Sequence, residues 1–503
     1  MDYYFNLNGL GLEKNSRLRN ITKRSRDEVF IAWSRWKSIM EKFNQLRIAI
    51  LFTVIGSVGL SACNDSDDST QGNKPVNPDT ELTDCMWQDS VTSKQHTGED
   101  PLNYAFPDSN VTYWSSEFTV PEGAKVMIDG DYPYSRHFSL VSYTAKGERV
   151  NSLLDAAILP NQGSINPFVV GNNRLGKARS YSAQLQLGDL PSNPLSNTLY
   201  APKTVDGKVA ILYRVYVPNK NMDIKGNVSF PRFKVQLANG EIKKGQDVCN
   251  VLQVKKAPID RISTMPLKNT VDAFNQNRYE GFPAQQEPKW YKAFSALDSF
   301  KCIYKFDPIT KQPIDKCEGL AVTPKLGYWA TPDNEYVYAA VSRRLGKVIE
   351  LRGKVPTTEK TFNNDQFVQK TDVRYWSICT NEVISTATNY CLYDENIQKV
   401  DKDGFYTIVA SLPEDRPANA REECGVYFLE LSPRGSGYTA EDGKAFGHSD
   451  FGLFIMRNLL PDNAFAHAVQ KVKVPGEEKA VMGDYLPDIR YTSKDAFETK
   501  GCS

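Results

Sequence analysis

The chain has 503 residues, with 61 Lys/Arg against 60 Asp/Glu and four histidines. A formal net charge of +1, without a clustered basic face, excludes a nucleic-acid footprint, so no nucleic-acid partner is expected. Scarce histidine and the lack of any CxxC spacing exclude an ordinary zinc site, and no metal or cofactor is expected.

The first 39 residues fit no standard leader, whereas Met40-Glu41-Lys42 would make a normal start. The competing account is a cytosolic segment in which Lys23, Arg24 and Arg26 share a partly amphipathic helix with Trp33 and Trp36. Lys42 and Arg47 then precede an apolar run over residues 48–60, long enough for the core of a signal peptide and short for a membrane span. Small residues Ser61 and Ala62 follow, then Cys63. Leu60-Ser61-Ala62-Cys63 resembles the lipobox of bacterial lipoproteins. The resemblance implies a diacylglycerol on the Cys63 thiol, cleavage before Cys63 and acylation of the new amine. Two or three acyl chains, at about 0.8 kcal/mol per buried methylene, would anchor the protein stably. An ordinary signal with a chance cysteine is the blander alternative. Residues 63–84 are acidic and small, without apolar period, and are expected to be a disordered tether. The expected address is the bacterial cell envelope, at the outer membrane, facing the periplasm or the exterior.

Cleavage before Cys63 would remove ten basic and five acidic residues, leaving 51 and 55 in a mildly acidic mature chain. It would also leave eight cysteines beside the lipidated one: Cys85, Cys249, Cys302, Cys317, Cys379, Cys391, Cys424 and Cys502. An even number in an exported chain points to disulfides. Among the 105 connectivities that eight cysteines allow, spacing favours Cys85–Cys249, Cys302–Cys317, Cys379–Cys391 and Cys424–Cys502.

Short β-like runs separated by Gly, Pro, Asn and Asp predict a mainly β protein with few short helices. Strands are expected over residues 111–120, 208–218 and 336–341, and short helices over 464–472 and 270–276. Several patterns recur in the same order, which predicts an internal duplication into two tandem β-sandwiches. Residues 124–130 match 346–353, and Arg136-His137-Phe138-Ser139 matches Arg374-Tyr375-Trp376-Ser377. Residues 153–158 match 392–397, and 212–218 match 455–461; a looser match joins 179–191 to 405–413. The expected domains are 85–255 and 301–503, with a proline-rich linker over 256–300.

The repeat carries its own polar set: Arg136 with Asp155 and Arg214, and Arg374 with Asp394 and Arg457. Arginine and carboxylate suit two-pronged pairing, either gripping an anionic or sugar ligand or fixing strands within each sandwich. Their presence in both copies favours the scaffold role. The loop Asp415-Arg416-Pro417-Ala418-Asn419-Ala420 is a candidate binding surface, with a stiffened turn as its alternative. Trp114, Trp329 and Trp376 are candidates for stacking on sugars, although Trp376 lies in an apolar strand and reads as core. His448-Ser449-Asp450 cannot itself form a triad, because neighbours along a strand point to opposite faces. No catalytic motif is present.

Arg374-Tyr375-Trp376-Ser377, residues 414–420 and Met482-Gly483-Asp484-Tyr485 together resemble a family of uncharacterised exported bacterial proteins with β-sandwich domains of unknown function. The resemblance implies a fold and supplies no catalytic residue. The expected function is that of a lipid-anchored envelope protein with a non-catalytic binding or structural role, meeting the membrane through its lipid and an envelope glycan or protein as partner. The alternative is a secreted hydrolase, for example a carbohydrate-active one, with its site where the two domains join.

Overall fold

The computed structural model describes residues 85–91, 103–255, 286–295, 301–314, 329–437 and 449–502, apart from brief interruptions. The tether, the apolar run before Cys63 and the helix expected over 270–276 lie outside the described residues, as do Cys63, Cys317 and His448. No helix among the described residues is long and apolar enough to cross a membrane.

The first half contains β1 Asp89–Val91, β2 Val111–Thr119, β3 Lys125–Asp131, β4 Ser135–Tyr143, β5 Arg149–Leu154, β6 Ser180–Leu187, β7 Thr198–Ala201, β8 Lys208–Pro218, β9 Arg232–Gln236 and β10 Ile242–Lys243. They form two sheets, ordered β1-β2-β8-β4-β5 and β10-β9-β3-β6-β7. The second half begins with β11 Tyr291–Lys292, inside the stretch expected to be linker, and the small hairpin β12 Phe306–Asp307 and β13 Gln312–Pro313. It continues with β14 Asn334–Ser342, β15 Val348–Lys354, β16 Val373–Asn381, β17 Thr388–Tyr393, β18 Phe405–Ser411, β19 Val426–Glu430, β20 Phe451–Pro461 and β21 Asp488–Thr492. Its main sheets are ordered β11-β14-β20-β16-β17 and β19-β18-β15-β21.

The two topologies share a common order, although β10 has no counterpart and the β12/β13 hairpin belongs to the second half alone. β2, β8, β4 and β5 correspond to β14, β20, β16 and β17, and the parallel pair β6/β7 recurs as β18/β19. Even a close approach is repeated. Gly130 faces Tyr181 across β3/β6 and Gly353 faces Tyr406 across β15/β18. A Cβ at Gly130 would lie 2.6 Å from the Tyr181 hydroxyl, and one at Gly353 would lie 3.1 Å from the Tyr406 hydroxyl. Both glycines therefore make room for a buried tyrosine ring.

Each half packs its two sheets around an aromatic-rich core, built by the period-2 alternation of its strands. Val209, Ile211, Tyr213 and Val215 of β8 enter the first core with Trp114, Phe138 and Phe233. Phe454 and Met456 of β20 enter the second with Trp376, Ile378 and Tyr406. The opposite face of these central strands is also buried: Val111 and Tyr216 of the first half pack with Tyr375 and Leu459 of the second. Leu212, Tyr143 and Val141 pack with Trp329. The two central sheets are thus covered on both sides, the second side by the other half.

Three expected disulfides are present: Cys85–Cys249, Cys379–Cys391 and Cys424–Cys502. They close sequence separations of 164, 12 and 78 residues, so by chain entropy they stabilise by about 5, 3 and 4.5 kcal/mol. Cys302 is buried. The helix expected over 464–472 is reduced to a single 3-10 turn, Val469–Lys471. Asp462 does cap the Ala464 N–H at 2.8 Å, but Asn458 of β20 accepts the Val469 N–H at 3.0 Å and its carbonyl binds the Gln470 amide. Bonds to the strand compete with helical ones there.

Candidate functional site

The repeated arginines and aspartates all lie where the halves meet, and they pair across the junction rather than within a copy. Arg136 of β4 donates from Nη1 to both oxygens of Asp394 at 2.6 Å, from Nη2 to Glu395 and from Nε to Thr361 at 2.9 Å. The reciprocal pair is Arg374 of β16 with Asp155, at 3.5 Å. The grouping of Arg136 with Asp155, and of Arg374 with Asp394, is therefore exchanged between copies. β4 and β16 turn these side chains towards the other half, so each arginine meets its neighbour's carboxylate.

The third arginine of each set is exchanged in the same sense. Arg214 of β8 donates to the Trp329 carbonyl, and Arg457 of β20 donates to the Phe106 carbonyl at 2.7 Å. Trp329 and Phe106 stand at φ 55° and 54°, just ahead of β14 and β2 respectively. Each belongs to an arm that leaves its own sandwich to lie along the other. In the arm before β2, Asn103 and Ala105 bond to Thr388 and Thr386. In the arm before β14, the Thr331 carbonyl accepts from Arg149 at 3.0 Å. Arg214 sits 5.5 Å from the centre of the Tyr113 ring, and Arg457 5.6 Å from that of Tyr336.

Electrostatically this is a buried network of opposed charges. Burial works against charge on Arg136, but Asp394 and Glu395 outweigh it and raise its pKa. Burial likewise opposes ionisation of Asp155, which His137 and Arg374 overcome, lowering its pKa. His137 donates or accepts through Nδ1 at 2.7 Å from Asp155, and its Nε2 lies 3.6 Å from Asp333; these carboxylates raise its pKa against burial. Glu359, 3.8 Å from the Arg374 guanidinium, is pushed up to about 7 by burial despite the surrounding arginines.

His137, Asp108, Asp333, Glu359 and Glu395 were not singled out by the sequence pattern. The available signals were weak: His137 stands where the second copy has Tyr375, and Asp108 and Asp333 each follow a proline just before a central strand. The metal-type grouping among the described residues is Asp108 with Cys379 and Cys391, but the two sulfurs are joined to each other and are not thiolates.

The loop over 415–420 is tied to the rest of the second half with Arg416 exposed, and the three tryptophans are buried. Arg416 donates to the Ala420 carbonyl at 2.6 and 3.0 Å and lies over Phe428, while Asn419 and Ala418 hold the C-terminal segment through Phe497, Gly501 and Glu498. Trp114 and Trp376 are core residues and Trp329 is enclosed at the junction, so none presents a ring to an external sugar. Asp450 accepts from Ser342 at 2.9 Å and pairs with Arg344.

No protein-family model matches the chain, and no curated protein does. An uncharacterized protein from Burkholderia cenocepacia is similar over 79% of this chain and 81% of its own, at 10% identity and a TM-score of 0.42. The VPA0106 protein from Vibrio parahaemolyticus is similar over 78% of this chain and 91% of its own, at 11% identity and a TM-score of 0.36. The chain is structurally similar to uncharacterized bacterial proteins.

Proposed function

We propose that the chain is a lipid-anchored protein of the bacterial envelope with a non-catalytic binding or structural role. The observation that carries this reading is Leu60-Ser61-Ala62-Cys63 at the end of a signal-like apolar run. Three disulfides in the folded part support an oxidising compartment. Pairing of the junction's arginines and carboxylates with one another supports a scaffold over a hydrolase, whose carboxylates must reach a substrate. A glycan or protein of the envelope is the partner class, and the outer membrane is the address. Metabolic labelling with an alkyne fatty acid tests the anchor: the wild-type chain takes the label and sediments with membranes, and Cys63→Ser abolishes both. Undiminished labelling of the Cys63→Ser chain would overturn the reading. So would hydrolysis by the mature chain that one carboxylate substitution abolishes.

A further inference from the structure

The near-twofold relation between the halves breaks within the polar set at the junction. Val111 pairs with Tyr216 and Asn334 with Leu459, so residues 111 and 334 are equivalent, and Asp108 corresponds to Thr331. The local bonds agree: Asp108 Oδ1 accepts the Asn110 N–H at 2.9 Å, and Thr331 Oγ1 takes that role for the Asp333 N–H at 3.4 Å. The other oxygen of Asp108 has no counterpart on threonine. In the second half that oxygen accepts from Ser377 at 2.6 Å and Tyr375 at 2.9 Å, and lies 3.9 Å from Arg457.

The equivalents of those three groups are Ser139, His137 and Arg214, by their shared register against β8 and β20. All three are buried; Ser139 Oγ and Nε and Nη1 of Arg214 have no hydrogen-bond partner, whereas His137 Nε2 faces Asp333 Oδ2 at 3.6 Å. His137 faces Asp155 and Asp333, and Arg374 also faces Asp155. Arg214 has aromatic rings and a carbonyl around it and no carboxylate within ion-pairing distance among the described residues. A buried guanidinium left so is costly.

The geometry points to a buried site for one small monovalent anion, a halide or a formate-sized carboxylate, held by Arg214 and Ser139 where Asp108 would place its carboxylate in the other half. Enclosure by both halves means that the anion is taken up as they close, so affinity is read through folding.

The test uses the full mature chain with Cys63→Ser replacing the lipid. Urea and thermal unfolding are compared in gluconate, chloride and formate at one pH and ionic strength. Stability rising with the logarithm of chloride or formate concentration, but not of gluconate, is the expected result, and the two arms separate a halide site from a carboxylate site. Thr331→Asp supplies the missing carboxylate covalently and is expected to remove the dependence. Independently of any variant, crystals grown in bromide should give an anomalous peak within hydrogen-bonding distance of Ser139 Oγ and Arg214. Equal stability in all three salts, a dependence undiminished in folded Thr331→Asp, or water alone at that position would each overturn the proposal.

Discussion

Removing one carboxylate from the junction should reveal which pairing holds the halves together. Asp394→Ala leaves the fully buried Arg136 guanidinium with Glu395 and Thr361 as its remaining side-chain partners. Breaking one side of a buried pair costs about 3–5 kcal/mol. Glu395 retains part of the attraction, so about 3 kcal/mol is expected for Asp394→Ala. Arg136→Ala should cost a similar amount, because it leaves Asp394 buried beside Glu395. With both residues gone no charge of the pair is stranded, and the double variant should be more stable than the summed losses imply, by about 1.5–3 kcal/mol. The same cycle on Arg136 and Asp155, partners within one copy by sequence, should give a coupling below about 1 kcal/mol. The assay is urea unfolding followed by tryptophan fluorescence and circular dichroism, with coincident transitions required before free energies are compared. A coupling to Asp155 equal to or larger than that to Asp394 would refute the crosswise assignment.

Glu359, whose carboxyl is held near 7 in the fold, should make stability fall as pH rises from its unfolded value near 4.5 through 7, since the folded state keeps the proton longer. Glu359→Gln should flatten that fall and gain about 1–2 kcal/mol at pH 8 and little at pH 5, a figure discounted for partial solvent screening; a parallel pH profile for both proteins would contradict this. Gly130→Ala should lose about 1–3 kcal/mol by forcing the Tyr181 ring aside, which a shift in urea midpoint at constant slope would register. Replacing Cys379 and Cys391 together by serine should cost about 3 kcal/mol from chain entropy. It should also weaken the Arg457 site, whose Nη1 donates to Cys379 at 2.8 Å, so the measured loss should exceed that of the same pair made on an Arg457→Met background.

Much of the fold is legible in the residues. The alternation along residues 208–218 is visible directly, and β8 occupies those residues. The order of recurring patterns announces the duplication because each carries a strand with the same neighbours. The junction is harder to read for a physical reason. In an alternating strand the polar set normally faces water, but Arg214, Ser139 and His137 of the first half and Arg457, Ser377 and Tyr375 of the second are all buried. Nothing in a single chain distinguishes a face covered by solvent from one covered by a matching polar face. The partner of Arg136 is hidden for the same reason: Asp155 is nearer in sequence, and only the packing of one half on the other brings Asp394 to it. The failed helix over 464–472 has a local cap and an apolar period, and is overruled by Asn458, a residue outside the segment.

The exchange of arms also sets an order of events in time. A chain made N-terminus first can close Cys85–Cys249 and pack its first aromatic core, all but Phe367, before the second half has emerged. It cannot finish there, because Arg136 and Arg214 wait for Asp394 and Trp329. During that interval a sheet face destined for burial stands open, charged and half apolar, the kind of surface on which nascent chains stick to the wrong neighbour. The late arrival of residues 329–395 therefore acts as a clock on assembly, and any pause between the halves lengthens exposure of the first.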